Sequence, residues 1–211
     1  MRPTREGLAV DQGDEPPDDV MRELGDCHAA LGNFDRACQC YVEAARLAPQ
    51  RAGPSVGLGV IALQAGQFDD AARAFRTAIE IDPACAEAYG GLAMVHQHRH
   101  EFADAFDMYL ACLEKDSDNL VALLGLFQAS IQMGSFAKVI RYLNVYLERH
   151  PDDTSVLFCL ATLYARDGRL AEADQVARRI LAFEPENAEA ANLLGEVRRR
   201  QAPRAAAVPE A

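Results

Sequence analysis

The stretch LGVIALQAGQFDDAARAFRTAIEIDP, residues 58–83, decides the fold. Small and apolar residues fall at steps of three and four on both sides of Gly66, which is the spacing of one face of an α-helix. Gly66 can adopt the left-handed conformation that ends a first helix. Pro83 cannot continue a second helix and disfavours helical angles in the residue before it. The stretch therefore predicts two helices joined by a tight turn.

The same pattern returns every 34 residues, without insertion or deletion. Its leucine recurs at Leu24, Leu58, Leu92, Leu126, Leu160 and Leu194. Rows of turn glycines, alanines, aromatic residues and closing prolines keep the same period. A helix pair of this kind leaves an apolar face that only the next pair can cover, so the repeat predicts a stack of helix pairs.

A Leu-Gly pair, a later alanine, an aromatic residue four positions on and a closing proline, at this period, resemble the tetratricopeptide repeat (TPR) family. The resemblance covers residues 18–187 and implies an all-α solenoid of five helix-turn-helix repeats. We divide the chain into repeats 18–51, 52–85, 86–119, 120–153 and 154–187, followed by a C-terminal capping helix at 188–201. Residues 1–17 and 202–211 are rich in Pro, Ala and acidic residues and are predicted to be disordered tails.

Two repeats depart from the pattern. The third has His100 in place of the turn glycine and Ser117 in place of the closing proline. The fourth has Phe127 where the other repeats have a small residue, and Phe127 is expected to face Val139 on the paired helix. Because a phenyl ring needs more room than a glycine, we expect a wider helix pair in the fourth repeat.

The composition narrows the possible partners. The formal net charge is −11 and the pI is about 4.9, which disfavours nucleic acid because its binders carry a basic patch. No apolar run approaches the roughly 18 residues of a membrane span, and no secretory signal is seen. We expect a cytoplasmic protein without a membrane partner. Nineteen arginines against two lysines suggest a GC-rich, bacterial source.

Two motifs are considered as sites of chemistry. HQHRH, residues 96–100, could place His96 and His100 on a shared helix face, but two ligands without a third or a carboxylate make a poor site, so a metal is disfavoured. GPSVG, residues 53–57, matches the G-x-S-x-G nucleophile elbow, but that motif needs a preceding strand. We therefore predict no catalytic residue, no cofactor and no metal.

The cysteines are interpreted as free thiols. Cys27, Cys38 and Cys112 occupy positions that hold small or apolar residues in other repeats, so they are predicted to be core thiols. Cys159 is expected on the exposed face of a first helix, where it would be the thiol to test for reactivity.

The most informative surface is predicted on the first helix of each pair, which lines the concave face in TPR solenoids. Its middle part is apolar with interspersed glutamines, and its ends are charged, as in a protein-binding patch with a polar rim. The predicted groove consists of Val56, Val60, Leu63, Gln64, Met94, Gln97, His98, Val121, Leu124, Gln128, Ile131 and Phe158. TPR co-chaperones that clamp a carboxylate use Lys, Asn and Arg at such positions, and the centre of this groove lacks cations.

The preferred interpretation is a non-catalytic adaptor that binds a partner peptide or amphipathic helix in this groove. A TPR-type chaperone for a secreted or aggregation-prone client is the first alternative. A self-assembling scaffold is the second, because grooves and end helices of solenoids can bind a second copy. An enzyme or a metalloprotein is the least favoured class.

Overall fold

The computed structural model describes residues 17–202, and this part of the chain contains eleven α-helices and no β-strand. The helices are α1 Pro17–Ala30, α2 Phe34–Leu47, α3 Gly53–Gln64, α4 Phe68–Ile81, α5 Ala86–His98, α6 Phe102–Lys115, α7 Leu120–Met133, α8 Ala137–Arg149, α9 Thr154–Arg166, α10 Leu170–Phe183 and α11 Ala188–Gln201. Ten of them form five helix-turn-helix repeats, and α11 is the capping helix. The fold is the predicted all-α, TPR-like architecture.

The tail predictions fall almost entirely on residues 1–16 and 203–211, which lie outside the described residues. Pro17, assigned to the tail from the sequence, is instead the first residue of α1. A proline is well tolerated there, because the first N–H groups of a helix have no intrahelical partner. Within residues 17–202, no helix is both long enough and apolar enough to cross a membrane.

The chain divides into two compact units, one containing α1–α4 and one containing α5–α11, with the boundary between Asp82 and Pro83. In both units the two helices of a repeat pack on each other, and the second helix packs on the first helix of the next repeat. First helices also contact one another: α1 contacts α3 in one unit, while α5, α7, α9 and α11 make successive contacts in the other. In the second unit the first helices therefore form one continuous wall.

Aromatic rings of second helices fill notches left by glycines on first helices. Tyr41 of α2 is buried between Gly25 and Gly57, and a Cβ atom at either glycine would lie within 2.6 Å of its ring. Phe75 of α4 is packed against Gly59 in the same way, 2.7 Å from a Cβ built there. This close packing explains why the aromatic row and the small-residue row share one period.

The fourth repeat lacks this arrangement. Phe127 on α7 is half-buried, while Leu143 and Val139 on α8 are completely buried. The bulk has moved from the second helix to the first, and α7 and α8 approach each other along less of their length than the helices of any other repeat. The wider pair expected from Phe127 is confirmed.

The turns between paired helices use a left-handed residue. Gly32, Gly66, Gly134 and Gly168 have φ between 68° and 80°, and His100 has φ 61° at the equivalent turn. The turn of the third repeat is closed by the N–H of Glu101, which donates to the carbonyl of His96 at 2.9 Å. His100 thus adopts the backbone conformation of the glycine that it replaces, although its Cβ disfavours that conformation.

Replacing His100 by glycine is expected to raise the free energy of unfolding by about 0.5–1 kcal/mol. The left-handed conformation costs a residue with a Cβ about 1–2 kcal/mol, and the larger entropy of glycine in the unfolded chain offsets part of the gain. Urea unfolding measures the change. The matched control is Gly134→Ala, which introduces a Cβ at φ 68° and should lower stability by about 1 kcal/mol. Equal signs for the two variants would contradict the assignment.

Candidate functional site

In the first unit the predicted groove residues lie on α3. Val60 is 40% exposed, Gln64 is exposed, and Val56 and Leu63 are half-buried. Ile61 and Ala62 of the same helix are buried. The predicted stripe on α3 is therefore distinct from the face that contacts the core, and its apolar part remains accessible to solvent.

In the second unit the predicted groove residues lie on α5, α7 and α9, and none of them is fully buried. Met94, Leu124, Ile131 and Phe158 are half-buried and pack one side against the core. Val121 is 63% exposed, and His98 and Gln128 are exposed. Side chains anchored on one side and solvent-accessible on the other lose little further freedom when a ligand covers them.

A cleft of about 250 Å³ lies between α5 and α7. Six predicted residues line it, together with two residues that the sequence did not place at the site. The lining residues are Met94, Gln97, His98, Tyr109, Val121, Leu124, Gly125 and Gln128. None of the eight is a carboxylate, a lysine or an arginine. Two other residues of the predicted groove, Ile131 on α7 and Phe158 on α9, do not line this cleft.

Tyr109 and Gly125 form the floor of the cleft. Tyr109 comes from α6, and its ring is almost completely buried. A Cβ atom at Gly125 would lie 2.2 Å from Cζ of that ring, so only glycine allows the ring to reach between α5 and α7. In the sequence, Tyr109 follows Tyr41 and Phe75 at the 34-residue period of the aromatic residues. That pattern indicates core packing and does not indicate that the phenol end of the ring reaches a surface cleft.

A chain of hydrogen bonds crosses the cleft from its floor. The Tyr109 hydroxyl donates to Oε1 of Gln97 at 2.7 Å, and Nε2 of Gln97 donates to Oε1 of Gln128 at 2.7 Å. Burial raises the pKa of Tyr109 to about 12, so its hydroxyl keeps its proton at neutral pH and acts as the donor. The chain fixes the orientation of both amides and ends at the exposed NH₂ group of Gln128.

The structure reverses the predictions for two cysteines. Cys159 is only 7% exposed and lies in the core of the second unit, and burial raises its pKa to about 11. Phe158 occupies the outer face of α9, and the 100° rotation per residue turns Cys159 inward. Cys27, predicted to be a core thiol, is exposed. It lies on α1, and no described helix precedes α1 to cover its outer face.

The GPSVG motif lies outside the cleft, and of the HQHRH motif Gln97 and His98 line the cleft while His96 does not. Ser55 of GPSVG is buried inside α3, so the strand-turn-helix geometry of a nucleophile elbow does not occur at this serine. His96 is 14% exposed, and its Nδ1 atom lies 2.6 Å from Oε2 of Glu101. It therefore lies at the end of α5 against the turn to α6 and does not line the cleft.

The geometry defines a helical-repeat protein with an accessible apolar cleft on its first helices. Family models described as tetratricopeptide repeat match residues 19–51, 56–119 and 98–157. The chain belongs to the tetratricopeptide repeat family.

Solved structures with the same fold include YrrB, described as a TPR protein with an unusual peptide-binding site, at 20% identity and TM-score 0.67, covering 76% of this chain and 83% of that one. MamA is 21% identical with TM-score 0.65, covering 84% of this chain and 96% of that one. The first TPR of Spaghetti (RPAP3), bound to the HSP90 peptide SRMEEVD, is 19% identical with TM-score 0.54, covering 56% of this chain and 97% of that one. At these identities the likeness shows the fold. No curated protein matches the chain.

Gly125→Ala is expected to destabilise the protein by about 1–3 kcal/mol, because the added methyl group overlaps the ring of Tyr109. Gly195→Ala is the matched control, since it makes the same change inside α11, where a Cβ atom would have no neighbour within 4 Å. It should stabilise by about 0.5–1 kcal/mol through helix propensity alone. Urea unfolding of both variants measures the contrast. A neutral effect of Gly125→Ala would show that the floor of the cleft is not close-packed.

Cys159 is expected to resist thiol reagents at pH 7.5, because the thiol is buried and its raised pKa keeps it protonated. Cys27 is exposed and should react first. Labelling of the native protein, mapped by mass spectrometry, tests the order. Cys159→Ala should leave the number of fast thiols unchanged, and Cys27→Ala should remove one. Labelling of Cys159 as fast as Cys27 would contradict the structure.

Proposed function

We propose that the protein is a non-catalytic adaptor that binds a protein or peptide partner on its first helices, with the α5–α7 cleft as the main seat. The observation that carries the proposal is the hydrogen-bonded chain Tyr109–Gln97–Gln128 inside a largely apolar cleft. Burial of apolar side chains supplies affinity, and the preorganised amide of Gln128 fixes the orientation of the ligand. Both features are typical of sites that bind polypeptide.

The ligand chemistry follows from the groups that the cleft offers. Met94 and Leu124 present half-buried apolar surface against which an apolar side chain of a ligand can pack. The NH₂ group of Gln128 matches a main-chain carbonyl of a peptide or of the end of a helix. Since the lining has no cation, an apolar segment is favoured over a terminal carboxylate as the group that enters the cleft.

Structures of the same fold support a peptide ligand. YrrB is a TPR protein with an unusual peptide-binding site, and the first TPR of RPAP3 was solved with a bound HSP90 peptide, SRMEEVD. The SRMEEVD peptide carries acidic residues near its end. The cleft of this chain lacks the cations that such a ligand needs, so we propose a different, apolar recognition sequence for it. The net charge of −11 favours basic residues flanking that sequence.

A chaperone for a secreted or aggregation-prone client is the second candidate. Leu120 and Met133 expose further apolar surface along α7 outside the cleft, beyond what one short peptide needs. A chaperone of this kind accepts many apolar sequences, whereas an adaptor discriminates among them. Affinities for a series of scrambled versions of one selected peptide therefore separate the two functions.

Met94→Glu combined with Leu124→Glu is expected to abolish peptide capture while leaving the helical circular dichroism nearly intact. The probe is a peptide selected on the wild-type protein from a random library, and binding is measured by fluorescence anisotropy. Two buried carboxylates without partners should weaken binding at least a hundredfold, about 3 kcal/mol or more. Gln128→Leu removes only the amide and should cost about tenfold, as expected for one hydrogen bond.

Two control variants keep this test decisive. Val145→Glu with Phe183→Glu adds the same charge to the second helices α8 and α10, where both residues are exposed, and should bind normally. Val121→Glu changes an exposed cleft residue that has little part in folding, so its loss of binding cannot be attributed to unfolding. Normal peptide binding by both Val121→Glu and the Met94/Leu124 variant would refute the groove. Light scattering on the same samples shows whether a second copy occupies it.

A further inference from the structure

We propose a binding site for a divalent first-row transition ion at the turn between α5 and α6, formed by His96, Glu101 and Asp104. One ligand atom from each side chain can be chosen so that all three lie within 4.8 Å of one another. The imidazole of His96 is the most buried of the three groups, and the carboxylates of Glu101 and Asp104 are accessible to solvent. An ion can therefore enter from solvent and meet a partly buried nitrogen ligand.

The backbone of the turn fixes this grouping. His96 lies in the last turn of α5, Glu101 immediately precedes α6, and Asp104 is in its first turn. The hydrogen bond from the Glu101 N–H to the His96 carbonyl, 2.9 Å long, holds the two chain segments together. The side chains of His96 and Glu101 already meet at 2.6 Å. Because one ligand atom of each side chain already lies within 4.8 Å of the others, we expect side-chain rotation to be enough to bring all three to one ion.

The other four repeats show that the fold does not require these three residues. The equivalent positions hold His28, Asn33 and Arg36; Ala62, Gln67 and Asp70; Ser130, Ser135 and Lys138; and Tyr164, Arg169 and Glu172. All five turns close with a left-handed residue whatever these side chains are. Among the five repeats, the third alone combines an imidazole with two carboxylates, so the combination calls for an explanation other than helix pairing.

This grouping also corrects the interpretation of the HQHRH motif. The sequence paired His96 with His100 and found no third ligand. In the structure, His100 occupies the left-handed turn position with its ring edge against Phe102, and the carboxylates of the turn and of α6 lie beside His96. The ligands of the proposed site come from both sides of the turn. Glu101 follows His96 by five positions, and Asp104 follows Glu101 by three.

The ligand set indicates the class of ion. An imidazole nitrogen with two carboxylates suits Zn²⁺ and neighbouring first-row ions, whereas Mg²⁺ and Ca²⁺ prefer oxygen ligands alone. Two carboxylates balance the charge of a divalent ion. Three protein ligands leave at least one coordination position for water or for a side chain of a partner. A bound ion would join the end of α5 to the start of α6.

Isothermal titration of untagged, chelator-treated protein with ZnCl₂ tests the proposal, and CoCl₂ gives an independent absorbance signal. We expect one ion per chain, a rise in Tm with added Zn²⁺ by mass action, and no response to MgCl₂ at the same concentration. His96→Gln and Asp104→Asn should each raise the Kd for Zn²⁺ at least tenfold. His98→Gln and His28→Gln are the controls, and both should bind as the wild type does.

Asp104 is exposed, so Asp104→Asn should fold normally and keeps the test valid even if His96→Gln alters the packing of the turn. The absence of stoichiometric Zn²⁺ binding would overturn the proposal. Unchanged Zn²⁺ affinity in Asp104→Asn and His96→Gln would also overturn it, because the ion would then bind elsewhere. If Mg²⁺ bound as tightly as Zn²⁺, the site would be a nonspecific cluster of negative charge, and the proposal would be overturned as well.

Discussion

The contact on which the structure depends is that of an aromatic ring against a glycine on a neighbouring helix. Tyr41 between Gly25 and Gly57, and Tyr109 against Gly125, show the same arrangement in the two units. A large ring in a notch without a side chain brings two backbones together and buries much apolar area at once. The repeat can therefore be stable without tryptophan and with small alanines at most other helix contacts.

The same contact links the core to the candidate site. The ring of Tyr109 fills the space at Gly125, and its hydroxyl continues through to the cleft, where it orients Gln97 and, through it, Gln128. A residue that stabilises the repeat thus also sets the direction of the groups offered to a ligand. Rigid support of this kind reduces the entropy that binding has to overcome.

The 34-residue period predicted the helices, their turns and the wider fourth pair, because each depends on residues close in sequence or one repeat away. It failed for Cys159 and Cys27, whose exposure depends on which neighbouring helix covers them. Phe127 was predictable because a large residue breaks a row of small ones. The grouping of His96 with Asp104 was not, since it depends on the path of the backbone through a turn that has a histidine where the other repeats have glycine.

The fourth repeat gives the wall of first helices an uneven stiffness. The helix α7 is held mainly by α6 of the preceding repeat, because its own partner α8 contacts it over a short length and α5 and α9 contact it no more than that. A bulky ligand in the α5–α7 cleft would therefore contact one helix, α5, that packs extensively on the second helix of its own repeat and one, α7, that does not. We expect α7 to tilt when ligand side chains of different size bind, so that one cleft can bind several related sequences.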